Sequence, residues 1–427
     1  MRILIPIVGS RGDVQPMVAA GLELQRRGHS VLVGAPPNFL DFVANAGLPV
    51  RQFGPDVNAL YSSPHGQRVL AAGNSARMLA MVSGQMAEYA DQMDDELIAI
   101  ADGTEMIVSI TFSEDRSVSL AEALDVPMVT LQTYPSSKNS CYAPPSSLPH
   151  HWPTPGFVNR GLWSVADQLR TRLFRKYINN FRAKVDLPPT KASTESALVK
   201  RGVPEVQIYD PALVPGLAEE WGAARPFAGF LWFPRSAREA IGELAVQHAE
   251  VLQWIADGEP PIFFGFGSMP ILDFGSVIGL IEQICERRGQ RALVGVDGAH
   301  VDMQTLRTGP NVKVVENMAH DLIFPHCRAA VHHGGVGTLF ESARAGVPTL
   351  VCSVSMDQPF WGHQVEQLGI GAHIPFPKLR ADTLSRGIDV VLDDQTRSRA
   401  EALAVKIRER GDGVPRVCDI VEKAAAG

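Results

Sequence analysis

Apolar and polar positions along the chain alternate between two periods. Ile3 to Val8 is an unbroken apolar run, the pattern of a parallel strand covered on both faces. Val14, Val18, Leu22 and Leu24 then fall near helical spacing, Gly28 ends that run, and His29–Ala35 reads as the next strand. The pattern continues with a helix near Asn38–Asn45, a strand over Val50–Phe53 and a long helix over Met78–Ile100. A strand over Met106–Thr111, a helix over Ser117–Leu124 and a strand over Met128–Thr133 follow. From Tyr134 to Pro155, Pro, Ser, His and Trp dominate and predict a long loop. A helix over Val158–Val185 and a strand over Val206–Tyr209 close the first half. A second series has strands over Pro261–Phe266, Ala292–Val296, Val312–Val315, Ala329–His332, Thr349–Val354 and Ala372–Ile374. Thr396–Ala426 reads as helix interrupted near Gly411–Pro415.

Strict alternation of strand and helix predicts an α/β protein with two doubly wound parallel sheets. Right-handed crossovers put each ligand crevice at the carboxyl ends of the strands, and two such domains in tandem are expected to face each other across a cleft. The first domain is placed at 1–215 and the second at 241–400. Residues 216–240 carry prolines and no sustained period, and are read as the linker.

Composition narrows the class without changing it. A chain of 427 residues suits two domains, and 45% hydrophobic with 20% charged residues suits a soluble globular protein. The net charge of −7 argues against nucleic acid held through its phosphates, and leaves the chain weakly repelled by anionic lipid. No apolar run reaches the ~18–20 residues of a membrane span. The N-terminus reads as a buried strand and not as a signal peptide. Cys141, Cys285, Cys327, Cys352 and Cys418 show no short spacing, hence no disulfide framework and no zinc pattern. They read as core residues of a protein in the reducing cytoplasm.

Three motifs carry candidate chemistry. The first is VGSRGDVQP, Val8–Pro16, after the first strand. Gly9 and Gly12 permit close backbone approach, and Asp13 stands where a helix begins. Asp is a favoured helix cap, so Asp13 has a capping reading beside a chemical one. The glycine spacing is G-x-x-G and not G-x-G-x-x-G, which disfavours a nicotinamide cofactor. The second motif is FFGFGSM, Phe263–Met269, where Gly265, Gly267 and Ser268 make a small-residue turn. Such a turn before a helix suits an anion, though tight glycine turns also join many strands to helices.

The third is VHHGGVGT, Val331–Thr338, followed by ESARAGVP and by SMDQPFWG ending at Gly362. Its strand ends in His332 and His333. Gly334, Gly335 and Gly337 open a loop whose N–H groups can face a diphosphate, and the helix from about Thr338 aims its positive end there. No Gly-Lys-Ser/Thr follows, so this is not a P-loop. His332 or His333 supplies an N–H to a phosphate oxygen, or is structural. Asp357 and Gln358 follow the next strand. An adjacent acid and amide suits vicinal sugar hydroxyls, and equally a solvated loop with a helix cap.

At these motifs the chain resembles the glycosyltransferase family 1 enzymes of the GT-B fold, in particular the branch of sterol glucosyltransferases and vancomycin-type antibiotic glycosyltransferases. The resemblance runs the length of the chain and is weak between about Tyr134 and Asp257. It implies two Rossmann-like domains and inverting transfer of a hexose from a UDP- or dTDP-sugar, without metal or resident cofactor. No D-x-D stands at a predicted strand end. The resemblance places the pyrophosphate on His332, His333, Gly334, Gly335, Val336, Gly337 and Thr338. It adds Gly267 and Ser268 as a phosphate turn, Val315, Asn317 and Met318 as the strand end that reads the base, and Asp357 and Gln358 as partners of the sugar hydroxyls. Ser10, Arg11 and Gly12 are assigned to the donor. Asp13 stands where many members carry a general-base His, and Glu114 and Asp115 are expected near enough to raise its pKa. His29 is read as structural. The resemblance also implies that residues 401–427 form a helix returning to the first domain.

The acceptor is read from the first domain. Met78, Met81, Met86 and Met93, with Trp152, Phe157 and Trp163, suit an adaptable apolar pocket, although a Met stripe at helical spacing also reads as core. Acceptor contacts are assigned to Met78, Met81, Phe112, Glu114, Tyr134 and Trp152. The expected partner is a lipophilic hydroxylated molecule such as a sterol, terpenoid, polyketide or aromatic aglycone. The rival readings are a nucleotide-sugar epimerase or a hydrolase of the same fold, and a non-catalytic helper protein.

Overall fold

The computed structural model describes residues 1–72, 75–145, 147, 154–243, 247–265, 274–296, 308–316 and 318–426. They form two compact units. One holds Met1–Asn58, Ala80–Ile241 and Arg410–Gly427; the other holds Ala59–Leu79 and Gly242–Glu409.

The first unit is built on six parallel strands: β1 (Arg2–Pro6), β2 (Ser30–Ala35), β3 (Val50–Gln52), β4 (Met106–Ile110), β5 (Met128–Gln132) and β6 (Glu205–Gln207). Their order is β3-β2-β1-β4-β5-β6. The unbroken apolar run of β1 has a direct cause. Ile3 and Ile5 face the helix Arg11–Arg26 and a core with Val14, Met17 and Val18. Leu4 and Val8 face the opposite core with Phe53, Met93 and Leu97. Successive side chains leave a strand on opposite faces, so burying both faces leaves no polar position. The helix Val414–Ala426 lies on the helix Arg11–Arg26 through Val417, Cys418 and Val421. Arg27 bonds Asp419 at 2.7 Å and Glu422 at 2.8 Å, and His29 meets Glu422 at 2.9 Å.

The second unit repeats the design with β7 (Ile262–Gly265), β8 (Ala292–Gly295), β9 (Val312–Val315), β10 (Ala329–His332), β11 (Thr349–Ser353) and β12 (Gly371–Pro375). All pair in parallel, in the order β12-β11-β10-β7-β8-β9. In each sheet the direction of winding reverses beside its first strand, between β1 and β4 and between β7 and β10. Ligands of doubly wound sheets bind at that reversal, beyond the strand carboxyl ends.

Several expectations are corrected. The single helix expected over Met78–Ile100 is two helices, Ser75–Glu88 and Ala90–Ile100. Residues 216–240, expected as a linker, belong to the first unit. Leu231 and Phe233 enter its core, and Phe227 meets the ring of Tyr209 at 5.4 Å. Residues 401–409 belong to the second unit, as the end of the helix Asp394–Arg410. The cysteines are all free, and four are buried.

Candidate functional site

In the first unit the chain leaves β1, turns at Gly9 and enters the helix Arg11–Arg26 at Ser10. Gly9 has φ +142°, and a Cβ there would stand 2.2 Å from Asp13 Oδ2. The turn therefore requires glycine, both for its backbone and for the carboxylate it receives. Ser10 is the cap residue, and Asp13 is the third residue of the helix, which corrects the reading of Asp13 itself as the N-cap. Ser10 donates to Asp13 Oδ2 from its backbone N–H at 2.8 Å and from Oγ at 3.2 Å. Among the described residues Oδ1 has no partner. Burial lifts the Asp13 pKa to about 6 against the two Ser10 bonds that lower it. Gly12 is exposed. Arg11 is exposed, bonds Gln15 at 3.1 Å and lies over the Phe42 ring.

The reversal is held by Ser113, whose Oγ donates to Pro6 O at 2.7 Å. Glu114 follows, and here the structure overturns two expectations. Glu114 is buried and accepts from Thr130 Oγ1 at 2.6 Å and from Gln132 Nε2. Burial raises its pKa to about 7. Asp115 accepts from Arg170 at 2.9 Å and from Thr194. Neither carboxylate is a cause of the Asp13 shift, and Glu114 is buried within a network rather than presented to a ligand. That network extends through Gln132 to Thr111 at 2.8 Å and Ser136 at 2.6 Å. Sequence reasoning missed it. Its one signal was the polar pair Thr130 and Gln132, two residues apart on one face of an otherwise apolar strand.

Met78 and Met81 are core residues, 2% and 9% exposed, because their helix buries that face. Phe112 and Tyr134 are half-buried. Trp152 lies outside the described residues.

In the second unit β10 ends at His332, and the turn to the helix Val336–Ala345 follows. Gly334 N–H donates to His332 Nδ1 at 3.0 Å, which puts the ring proton on Nε2. That Nε2 is buried without a partner among the described residues, as is Nδ1 of His333. Burial holds His332 well below its ordinary pKa and His333 at about 4, with nearby His320 adding to both, so both rings are neutral at pH 7. A Cβ on Gly335 would stand 2.4 Å from His333 Nε2. Beyond Gly334, the first backbone N–H in the turn with a protein acceptor is that of Leu339, on Gly335 O at 3.0 Å. The N–H groups of Val336, Gly337 and Thr338, at the positive end of the helix, have no acceptor among the described residues.

β11 ends beside this turn and leads to the helix Gln358–Gln367. Gln358 Oε1 accepts from Val354 N–H at 2.8 Å, and its amide NH2 has no partner among the described residues. Asp357 caps this helix, and its Oδ2 accepts from the buried Trp361 indole at 2.9 Å. The two motif segments meet: Gly334 has φ +88°, and a Cβ there would lie 2.6 Å from Val351 Cγ1 and 3.4 Å from Gln358 Cβ. Val315 ends β9 half-buried, and Met318 is buried in the core below. Gly267, Ser268 and Asn317 lie outside the described residues. Among the described residues no group of three His, Cys, Asp or Glu could hold a metal ion.

A loop of open N–H groups, two neutral imidazoles and an acid–amide pair at adjacent strand ends offer the donors and acceptors that an anion bearing hydroxyls would need. Comparison with known proteins gives it a family. A Mycobacterium leprae protein named an uncharacterized glycosyltransferase is 34% identical over 437 residues, covering 100% of this chain and 97% of its own length. The chain belongs to the glycosyltransferases. Residues 3–142 of this glycosyltransferase match the family described as Glycosyltransferase family 28 N-terminal domain. Residues 293–426 match Erythromycin biosynthesis protein CIII-like, C-terminal domain. A sterol 3-beta-glucosyltransferase of Arabidopsis thaliana is 30% identical over 436 residues, 97% of this chain and 64% of the plant protein. The solved structure of the glycosyltransferase VinC in complex with dTDP superimposes with a TM-score of 0.64 at 15% identity, covering 100% of both chains. The fold is GT-B.

Proposed function

We propose that this glycosyltransferase moves a hexose from a UDP- or dTDP-sugar to a hydroxyl of a lipophilic acceptor, with inversion and without a metal or resident cofactor. The observation that carries the reading is the approach of Gly334 to Gln358. It supports the reading by bringing the glycine turn of one motif close to Gln358, which with Asp357 forms the acid–amide pair of the other. The diphosphate lies on Gly335–Thr338 with His332 Nε2–H turned to it, and the sugar hydroxyls on Asp357 and Gln358.

Asp13 is the base. It takes the proton of the acceptor hydroxyl as that oxygen bonds the anomeric carbon, and the nucleoside diphosphate leaves with the electron pair of the broken bond. The helix Val336–Ala345 meets the charge that develops on the leaving diphosphate. A carboxylate with a pKa of about 6 is ionised at neutral pH and more basic than an ordinary Asp. The sterol-glucosylating relative supports an acceptor of lipophilic hydroxylated class. The dTDP-bound neighbour supports a nucleoside diphosphate donor. The test is a donor and acceptor screen: UDP-glucose and dTDP-sugars against sterols, polyketides and aromatic aglycones. Transfer confined to hydrophilic sugars or peptides, or thermal shifts with neither UDP nor dTDP, overturns the reading.

A further inference from the structure

Ten large hydrophobic side chains are conspicuously exposed among the described residues, and four of them lie on one helix. On Gly156–Lys184, Phe157 is 78% exposed, Val165 63%, Leu169 53% and Leu173 50%. Val165, Leu169 and Leu173 recur every fourth residue and so line one face. Val199 on the helix Thr194–Lys200 is also exposed, at 64%. It lies to the side of the stripe, in a surface depression with Ser164, Asp167 and Gln168 of the long helix and with Lys138 and Glu195.

The same helix carries seven Arg or Lys and one Asp, in a chain of net charge −7. Four of these cations have carboxylate partners: Arg160 with Glu220, Arg170 with Asp115, Arg182 with Glu122, and Lys184 with Asp95. The other three, Arg172, Arg175 and Lys176, are exposed and have no ion-pair partner among the described residues. Helical spacing puts Arg172 and Lys176 on the face of Val165 and Leu169, with Arg175 at its border. The cations without partners therefore coincide with the exposed apolar stripe.

We propose that this face is a peripheral docking surface for an anionic phospholipid bilayer. Leu169, Leu173, Val165 and Phe157 enter the headgroup–acyl boundary, while Arg172, Arg175 and Lys176 reach up to lipid phosphates. The weak repulsion expected from the overall charge of −7 is outweighed here by the local patch, since charges act on the surface within a Debye length of ~8–10 Å. The helix lies on the membrane and does not cross it; no helix among the described residues is long and apolar enough to span. The inference stands on this helix and is independent of the donor or acceptor.

The test is co-sedimentation of the full chain with vesicles of equal parts phosphatidylglycerol and phosphatidylcholine, against pure phosphatidylcholine. The chain binds the anionic vesicles, binds neutral ones far more weakly and is released by molar salt. Arg172→Gln/Arg175→Gln/Lys176→Gln lowers the partition coefficient on the order of 100-fold, at a factor of roughly five per cation. Leu169→Ser/Leu173→Ser lowers it tenfold or more on both scales of lipid charge where binding is measurable, roughly as expected from the removed apolar area. All five side chains are exposed, so thermal midpoints stay near the parent's; should the apolar variant fold poorly, the charge variant decides. No binding to anionic vesicles, equal binding to neutral ones, or indifference to the charge variant overturns the proposal. A dimer by sedimentation velocity that Leu169→Ser/Leu173→Ser dissolves, without vesicle binding, overturns it in favour of a protein interface.

Discussion

Ser10 holds Asp13 by the same oxygen twice, with its backbone N–H at 2.8 Å and its hydroxyl at 3.2 Å from Oδ2. The carboxylate at the third position of the helix thus keeps its other oxygen without a partner among the described residues. Asp13→Asn retains an acceptor for the Ser10 N–H and loses the ability to take a proton. Transfer falls by about 10²–10⁴-fold, while the thermal shift given by the nucleoside diphosphate is unchanged. Turnover equal to the parent's removes Asp13 from the mechanism.

The pH profile follows from the same residue. With its pKa at about 6, Asp13 is mostly protonated at pH 5, so with Asp13 as the proposed base kcat/KM should rise as pH passes through about 6. His332 and His333 lie lower, so they do not account for a rise there. Any residual rate of Asp13→Asn should lack the inflection. Its persistence in that variant assigns the titration elsewhere.

Glu114 makes the fold itself pH-sensitive. Its folded pKa of about 7 stands above the ordinary 4.5, so the native state holds a proton that the unfolded chain releases. Its stabilising share is full below about pH 4.5 and is lost as pH rises towards 7. The loss is on the order of 3 kcal/mol at ~1.4 kcal/mol per unit. Glu114→Gln keeps acceptors for Thr130 and Gln132 and cannot ionise. Thermal melts should show the variant gaining on the parent from pH 4.5 to pH 8, and parallel curves would contradict this.

Two glycines of one turn should behave oppositely. At Gly334, φ is +88° and a Cβ would meet Val351 Cγ1 at 2.6 Å, so Gly334→Ala combines backbone strain with overpacking. Denaturant melts should show a loss of about 2–4 kcal/mol. Gly337 sits in the helix Val336–Ala345 with open space where a Cβ would be. Gly337→Ala should leave stability equal or up to ~1 kcal/mol higher, since Ala is the better helix former. Because that space faces the proposed phosphates, the same variant should weaken nucleotide binding in calorimetry. Unchanged affinity would move the diphosphate off this turn.

The sequence alone determined the number of the strands and their positions along the chain, because a parallel strand buried on both faces is mostly apolar and announces itself as a run such as Ile3–Val8. It also determined the turns. Gly9, Gly334 and Gly335 stand where a Cβ would strike Asp13, Val351 or His333, and such demands leave glycine in the chain as a visible mark. Residues 216–240 misled because prolines interrupt a period without preventing burial, and Leu231 and Phe233 reach the core from an irregular backbone. Met78 and Glu114 misled for a related reason. A residue type states what a side chain can touch, and only packing states what it does touch: Met78 closes a core, and Glu114 bonds Thr130 on a neighbouring strand. The face of Gly156–Lys184 was equally hidden. Its leucines and arginines are ordinary helix formers in sequence, and only the pairing of four cations elsewhere leaves Arg172, Arg175 and Lys176 beside an uncovered apolar stripe. Local sequence sets periodicity and backbone demand; which surfaces remain after the chain has packed against itself is a property of the whole fold.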